Sequence, residues 1–183
     1  MQHNPFVRLI HRVVTGKPIY RTLLTPVGPL FFFSFIAGIV FAATKTDAWL
    51  GFGHILHPPW NVWLSRPLML CGLFCMAWSA SRFFKAKGTP VPFNPPKQLV
   101  TTGPYAWSRN PMMSGLFVVL FGIGIRLASC SLIFFYLPLF ILLICIIVKK
   151  VEEPGLEERF KEEYRQYKKN TPMFFPWRKA DKR

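Results

Sequence analysis

Apolar residues along this chain do not alternate with polar ones; they arrive in blocks. Residues 26–43 (PVGPLFFFSFIAGIVFAA), 67–81 (PLMLCGLFCMAWSAS), 112–125 (MMSGLFVVLFGIGI) and 129–148 (SCSLIFFYLPLFILLICIIV) carry no charge. Each block predicts a membrane-spanning helix, because a bilayer core takes about 20 apolar residues of helix. The first and fourth blocks are long enough, and the second becomes so by adding Arg82 to Phe84. The third is short, and Arg126 at its end must reach the interface, since a basic residue at mid-bilayer costs about 2.5–3.5 kcal/mol on insertion scales. The stretch 48–64 (AWLGFGHILHPPWNVWL) mixes tryptophan with proline and reads as an interfacial or re-entrant piece, a candidate fifth segment. The first block begins after 25 residues and runs too long for a cleavable signal core. The pattern predicts an all-α polytopic membrane protein with about four transmembrane helices.

Beyond Lys150 the pattern changes to VEEPGLEERFKEEYRQYKKNTPMFFPW. Leu156, Phe160, Tyr164 and Tyr167 recur at spacings of four, four and three, which predicts one amphipathic helix lying on the membrane surface. Asn170, Pro172 and Pro176 end it, and Lys168 and Lys169 are expected to meet lipid phosphates. Pro90, Pro92, Pro95 and Pro96 exclude helix between the second and third spans, so Gly88 to Pro104 is predicted as an extended loop. One membrane-embedded domain follows: a basic leader at 1–25, two spans at 26–84, a loop at 85–111, a helical hairpin at 112–148 and an amphipathic tail at 149–183.

Charge then gives orientation. The chain has 23 Lys+Arg against 8 Asp+Glu. The leader, the 85–111 segment and the start of the tail are basic, whereas 44–66 holds only Lys45 and Arg66 beside Asp47. The positive-inside rule puts both termini and 85–111 in the cytoplasm, in a bacterial or archaeal inner membrane or the endoplasmic reticulum. Basic residues dispersed at span ends suit anionic lipid, so membrane lipids are the expected partners and nucleic acid is not. Cys71, Cys75, Cys130 and Cys145 read as packed thiols. They lack the histidines or second cysteine pair of a zinc site, so no metal is expected.

Two constellations carry chemistry. Glu152 and Glu153 follow directly on an apolar span and two lysines, at a depth where carboxylates are costly unless paired or bound to a ligand. The loop 97–113 (KQLVTTGPYAWSRNPMM) joins a Gly-Pro turn, Tyr105, Trp107 and Arg109 to an Asn110-Pro111 helix start, where free backbone N–H groups can receive a carboxylate. Set against each other, the two suit a zwitterion with an aromatic portion.

These residues resemble the membrane methyltransferases related to isoprenylcysteine carboxyl methyltransferase and the phospholipid methyltransferases. That family's pattern is roughly G-x-Y-x-x-x-R-H-P-x-Y, then E-E-x-x-L-x-x-x-F-x-x-x-Y-x-x-Y, and the likeness covers about residues 88–177. The resemblance implies S-adenosyl-L-methionine as cofactor and a lipophilic small molecule or lipid as methyl acceptor: a prenylcysteine-type carboxylate, a phospholipid amine or another membrane-soluble group. By position, the cofactor falls to Lys97, Gln98, Leu99, Val100, Tyr105, Asn110, Pro111, Met112, Met113 and Glu152. Arg109 is expected to meet a carboxylate, and Glu153 is the nearest base for an amine acceptor.

This chain departs from the pattern at three places. Asn110 and Met113 replace a histidine and a tyrosine. Val148 stands where the prenylcysteine enzymes have an arginine for the substrate carboxylate, with Lys149 or Arg126 as substitutes. Lys161 replaces a glycine, which reads as a surface change without consequence. Gly115, Gly122 and Gly124 are expected to permit close helix packing. A sterol-reductase-like enzyme using NADPH and a non-catalytic membrane scaffold are the alternatives.

Overall fold

The computed structural model describes residues 27–52, 56–86 and 98–175. The basic leader, the proline cluster, Lys97 and the end of the tail lie outside them. Four helices account for the apolar blocks: α1 (Val27–Leu50), α2 (Trp60–Lys85), α3 (Pro111–Leu127) and α4 (Leu137–Ile147). A π-turn (Leu132–Tyr136) leads into α4, and a second (Val148–Glu152) joins it to α5 (Glu153–Asn170). Among the described residues there are no strands.

Among the described residues, three stretches are long and apolar enough to cross a membrane: Gly28–Leu50, Trp60–Lys85 and Leu132–Asn170. The fourth helix, α3, has 17 residues and spans about 26 Å. It is also the most enclosed, burying Leu116, Phe117, Val119, Leu120 and Ile125. A short helix sheathed by its neighbours need not match the hydrocarbon thickness itself. The outward side chains of α1, α2 and α4, among them Phe31, Leu70, Phe74 and Phe134, are exposed apolar surface fit for lipid.

No fifth helix occupies 48–64 among the described residues. Ala48 to Leu50 end α1, and Trp60 to Leu64 open α2. The tryptophans that suggested an interfacial piece are helix-end residues: Trp49, Trp60 and Trp63 are all exposed where aromatic side chains favour the interface.

Helices α2 and α3 meet backbone to backbone. A Cβ on Gly72 would stand 2.5 Å from the Gly115 carbonyl oxygen, and one on Gly115 would stand 2.7 Å from the Gly72 carbonyl. Gly122 seats Met69 and Gly124 seats Ile133 in the same way, so the three expected glycines are packing residues and Gly72 joins them. Around α3 the core gathers Ile36, Leu137, Phe140, Ile144, Val148 and Phe174. Cys71, expected to be packed, is exposed.

At the end away from the 98–110 loop, α3 stops at Ala128, which takes a left-handed φ of 53°, while the Ser129 amide bonds back to the Gly124 carbonyl at 2.9 Å. Asp47 of α1 then accepts from Ser129 Oγ and from the Ser131 amide, the latter at 2.8 Å. Thr46 bonds the Tyr136 hydroxyl at 2.9 Å, and Asn61 Nδ2 donates to the Arg126 carbonyl at 3.1 Å.

Candidate functional site

The expected single amphipathic helix is two limbs. Lys168 Nζ lies 2.6 Å from Glu153 Oε2 and 2.9 Å from Glu157 Oε1. In a straight helix fifteen residues span about 22 Å, beyond the reach of any side-chain pair. The chain can close that distance only by folding back, and it does so at Lys161, whose φ of 47° and ψ of −121° break the helix. Leu156 and Phe160 therefore lie on the outgoing limb, Tyr164 and Tyr167 on the returning one. Lys161 is exposed, as the sequence suggested, yet its backbone conformation favours glycine and costs a lysine about 1–3 kcal/mol. Its replacement of the pattern's glycine is thus a strained exchange.

Folding back builds an ion cluster. Glu153 is buried, and its Oε1 accepts from Arg109 Nη1 while its Oε2 meets Lys168. Arg109 also donates to the Tyr164 hydroxyl at 3.4 Å. The hydrogen bond from Lys168, aided by its charge, holds Glu157 below the ordinary carboxylate range; Glu153 and then Glu157 raise Lys168. Lys168, expected on lipid phosphate, is an internal counter-ion. Both oxygens of Glu153, the residue expected as a base, are thus engaged by cations.

Glu152 is different. It is exposed, and neither Lys149 nor Lys150, both exposed, pairs with it among the described residues. Surrounding protein, then the like charge of Glu153, raise its pKa. It is a reachable carboxylate set in a crowded recess beside a neutralised cluster.

The loop closes onto this region. A 3-10 turn (Gly103–Ala106) begins at Gly103, whose φ of +66° calls for glycine. The Tyr167 hydroxyl donates to the Tyr105 carbonyl at 2.6 Å. Tyr105 itself is buried with its ring edge-on to Phe83 at 5.3 Å, and burial raises its phenol. Its side chain packs on α2, which leaves its backbone as the part nearest α5. Gln98 is exposed and Leu99 and Val100 are half-buried; Lys97 lies outside the described residues.

The entrance to α3 is occupied by the chain itself. Residues 171–175 run back as a strap whose Pro172 carbonyl accepts the Arg109 amide at 2.9 Å and whose Met173 carbonyl accepts the Asn110 amide at 3.0 Å. Asn110 makes no cap bond with its side chain, which points Nδ2 at the Met173 carbonyl instead. Ser114 Oγ reaches the Phe174 carbonyl at 2.8 Å, Ser108 Oγ the Met173 carbonyl at 3.1 Å. The amides of Arg109 and Asn110, just ahead of the helix, are therefore bonded within the chain. Pro111 is buried, its carbonyl accepting from Cys75 Sγ at 3.4 Å, while Met112 and Met113 are half-buried. Among expected substitutes for the missing arginine, Arg126 sits at the far end of α3, about 24 Å from Asn110 along the axis. Val148 is core.

Sequence reasoning missed Ser108, Ser114, Tyr164, Tyr167 and Lys168 as site-building residues. The tyrosines and the lysine stand in the tail motif, but only the reversal at Lys161 reveals what they touch. Phe175 of the strap also closes one side of an apolar cavity of about 250 Å³ lined by Leu68, Phe117, Val118, Phe121, Leu137 and Ile141.

An all-helical membrane protein with an acidic pair at a span end, clamped to a Gly-x-Tyr…Arg loop, is the class these features define. The phospholipid methyltransferase family model matches residues 60–163, and the chain belongs to that family. The chain is also 29% identical over 128 residues to a protein of Alcaligenes xylosoxydans xylosoxydans named nickel-cobalt-cadmium resistance protein NccN, over 66% of this chain and 55% of that one. The chain thus spans little more than half the length of this curated relative. No solved structure matches it.

Proposed function

We propose that the protein transfers a methyl group from S-adenosylmethionine to a lipophilic acceptor at the membrane surface, with the loop side and both termini facing the cytoplasm. The observation that carries this reading is the unpaired Glu152 carboxylate beside a cluster whose own charges cancel: Arg109 and Lys168 against Glu153 and Glu157. Such a recess carries one net negative charge, which fits a cofactor bearing an ammonium and a sulfonium. When bound, the cofactor supplies a methyl group on positively charged sulfur.

Glu152 is assigned to the cofactor's cationic part. Gln98, Leu99, Val100, the backbone of Tyr105, and Asn110 to Met113 are assigned to its remaining contacts. Arg109 and Glu153 act as a positioning pair, fixing the loop against the tail so that Glu152 keeps its place. Their contribution is alignment, an effect worth about 7–11 kcal/mol in well-oriented reactions. The apolar cavity beside Phe175 supports an acceptor with a hydrocarbon portion.

Calorimetric titration of the full chain in detergent with S-adenosylhomocysteine and separately with NADPH tests the reading. Binding of the first alone is expected; binding of NADPH alone, or of neither, overturns it. Incorporation of radiolabelled methyl into lipid extracts then identifies the acceptor class.

A further inference from the structure

Arg82 in the last turn of α2 has no ion-pair partner among the described residues. Its Nε is buried and has no hydrogen-bond partner, and the ion pairs among the described residues belong to Arg109, Arg165 and Lys168. The stretch 87–97 that follows α2 contains no acid. A guanidinium cannot shed its proton, so a half-buried one needs an anion or pays for desolvation without return.

The seat of this guanidinium is specific. A Cβ on Gly103 would stand 2.6 Å from Arg82 Nε, 3.0 Å from Cζ and 3.1 Å from Nη2. The group therefore lies against bare backbone at the start of the Gly103–Ala106 turn, with Nε covered and the residue as a whole half-buried. Depth matters as well. Arg82 is 22 residues past Trp60, about 33 Å along α2, against about 30 Å of hydrocarbon. That places it at headgroup level. Phe84 and Trp107 are exposed at this end of α2, Trp107 standing edge-on to Trp78 at 6.0 Å, and Lys85 shares the Arg82 side of the helix three residues on.

We infer that Arg82, seated on Gly103, forms a phosphate-binding site at the membrane surface, taking the phosphodiester of a membrane phospholipid with Lys85 as a second cation. Guanidinium and phosphate match in charge and in paired hydrogen-bond geometry. The exposed aromatics favour a phosphate carried on lipid over one free in solution. The site stands whether or not a methyl donor binds.

The test uses the full chain in dodecyl maltoside micelles, with tryptophan emission followed during titration with dioleoylphosphatidylglycerol, dioleoylglycerol and glycerol 3-phosphate. Saturable binding of the phospholipid is expected, weakened at least fivefold in Arg82→Gln and retained within about twofold in Arg82→Lys, with thermal melting confirming that both fold. Gly103→Ala keeps the charge but displaces the guanidinium, and the same weakening is expected. Unchanged phospholipid binding in Arg82→Gln overturns the site. So does equal binding of dioleoylglycerol, which lacks phosphate, or glycerol 3-phosphate binding as tightly as the lipid, which would make the ligand a soluble phosphate. A loss of S-adenosylhomocysteine affinity in Arg82→Gln with lipid binding intact would assign the arginine to the cofactor and equally overturns the proposal.

Discussion

Each end of the helical bundle is tied together by one carboxylate, and the two are held by different means. Asp47 is met by a hydroxyl and a backbone amide, with no cation in contact among the described residues. Glu153 is met by Arg109 and Lys168. A carboxylate held by dipoles strands no opposite charge when removed; removing Glu153 strands the nearly buried Arg109, while Lys168 keeps Glu157. One end is a seam, and the other is a charge balance sensitive to every member.

The largest effect should come from upsetting that balance. Glu153→Gln leaves Arg109 and Lys168 facing a neutral amide and is expected to cost about 3–5 kcal/mol, the range for breaking a buried pair from one side, read as a fall in melting temperature together with lost S-adenosylhomocysteine binding. Asp47→Asn should cost only about 1–3 kcal/mol, the penalty for misplaced buried hydrogen bonds, with ligand affinity unchanged. Equal losses of stability in the two variants would erase the distinction between the ends. Glu152→Gln sharpens it within one end: the melting temperature should hold while S-adenosylhomocysteine affinity drops at least tenfold, about 1.4 kcal/mol.

The fold was largely legible in the block pattern because hydrocarbon admits few solutions for long apolar runs. The short third block declared α3, and its enclosure explains how it can be short. What the pattern could not show was the reversal at Lys161, since the spacing of Leu156, Phe160, Tyr164 and Tyr167 fits a continuous helix equally well. The expectation that Lys168 meets lipid phosphate failed for the same reason. Lys168 and Glu153 are fifteen positions apart and become partners only through that reversal, and the carbonyls of Pro172 and Met173 that fill the entrance of α3 are invisible to residue type.

Acidity offers a finer probe. The pKa of Glu152 is raised, so its carboxylate is lost on acidification at higher pH than an ordinary glutamate's. Affinity for S-adenosylhomocysteine, which carries an ammonium at neutral pH, should therefore hold near neutrality and weaken as pH falls through that raised value. Calorimetry across this range should show a slope in the native chain and a flat profile in Glu152→Gln; parallel slopes would detach Glu152 from the ligand. The smallest expected effect is a gain. Lys161→Gly relieves a left-handed backbone at an exposed bend and should add about 1 kcal/mol of stability, visible as a small rise in melting temperature.

The strap over α3 is joined mainly through its own main chain: Pro172, Met173 and Phe174 offer carbonyls to donors on residues 108–114. Met173 and Phe174 also pack on the core, so side chain and main chain hold the strap together. A single residue inserted after Asn170 would shift every oxygen out of phase and swing both side chains off their seats.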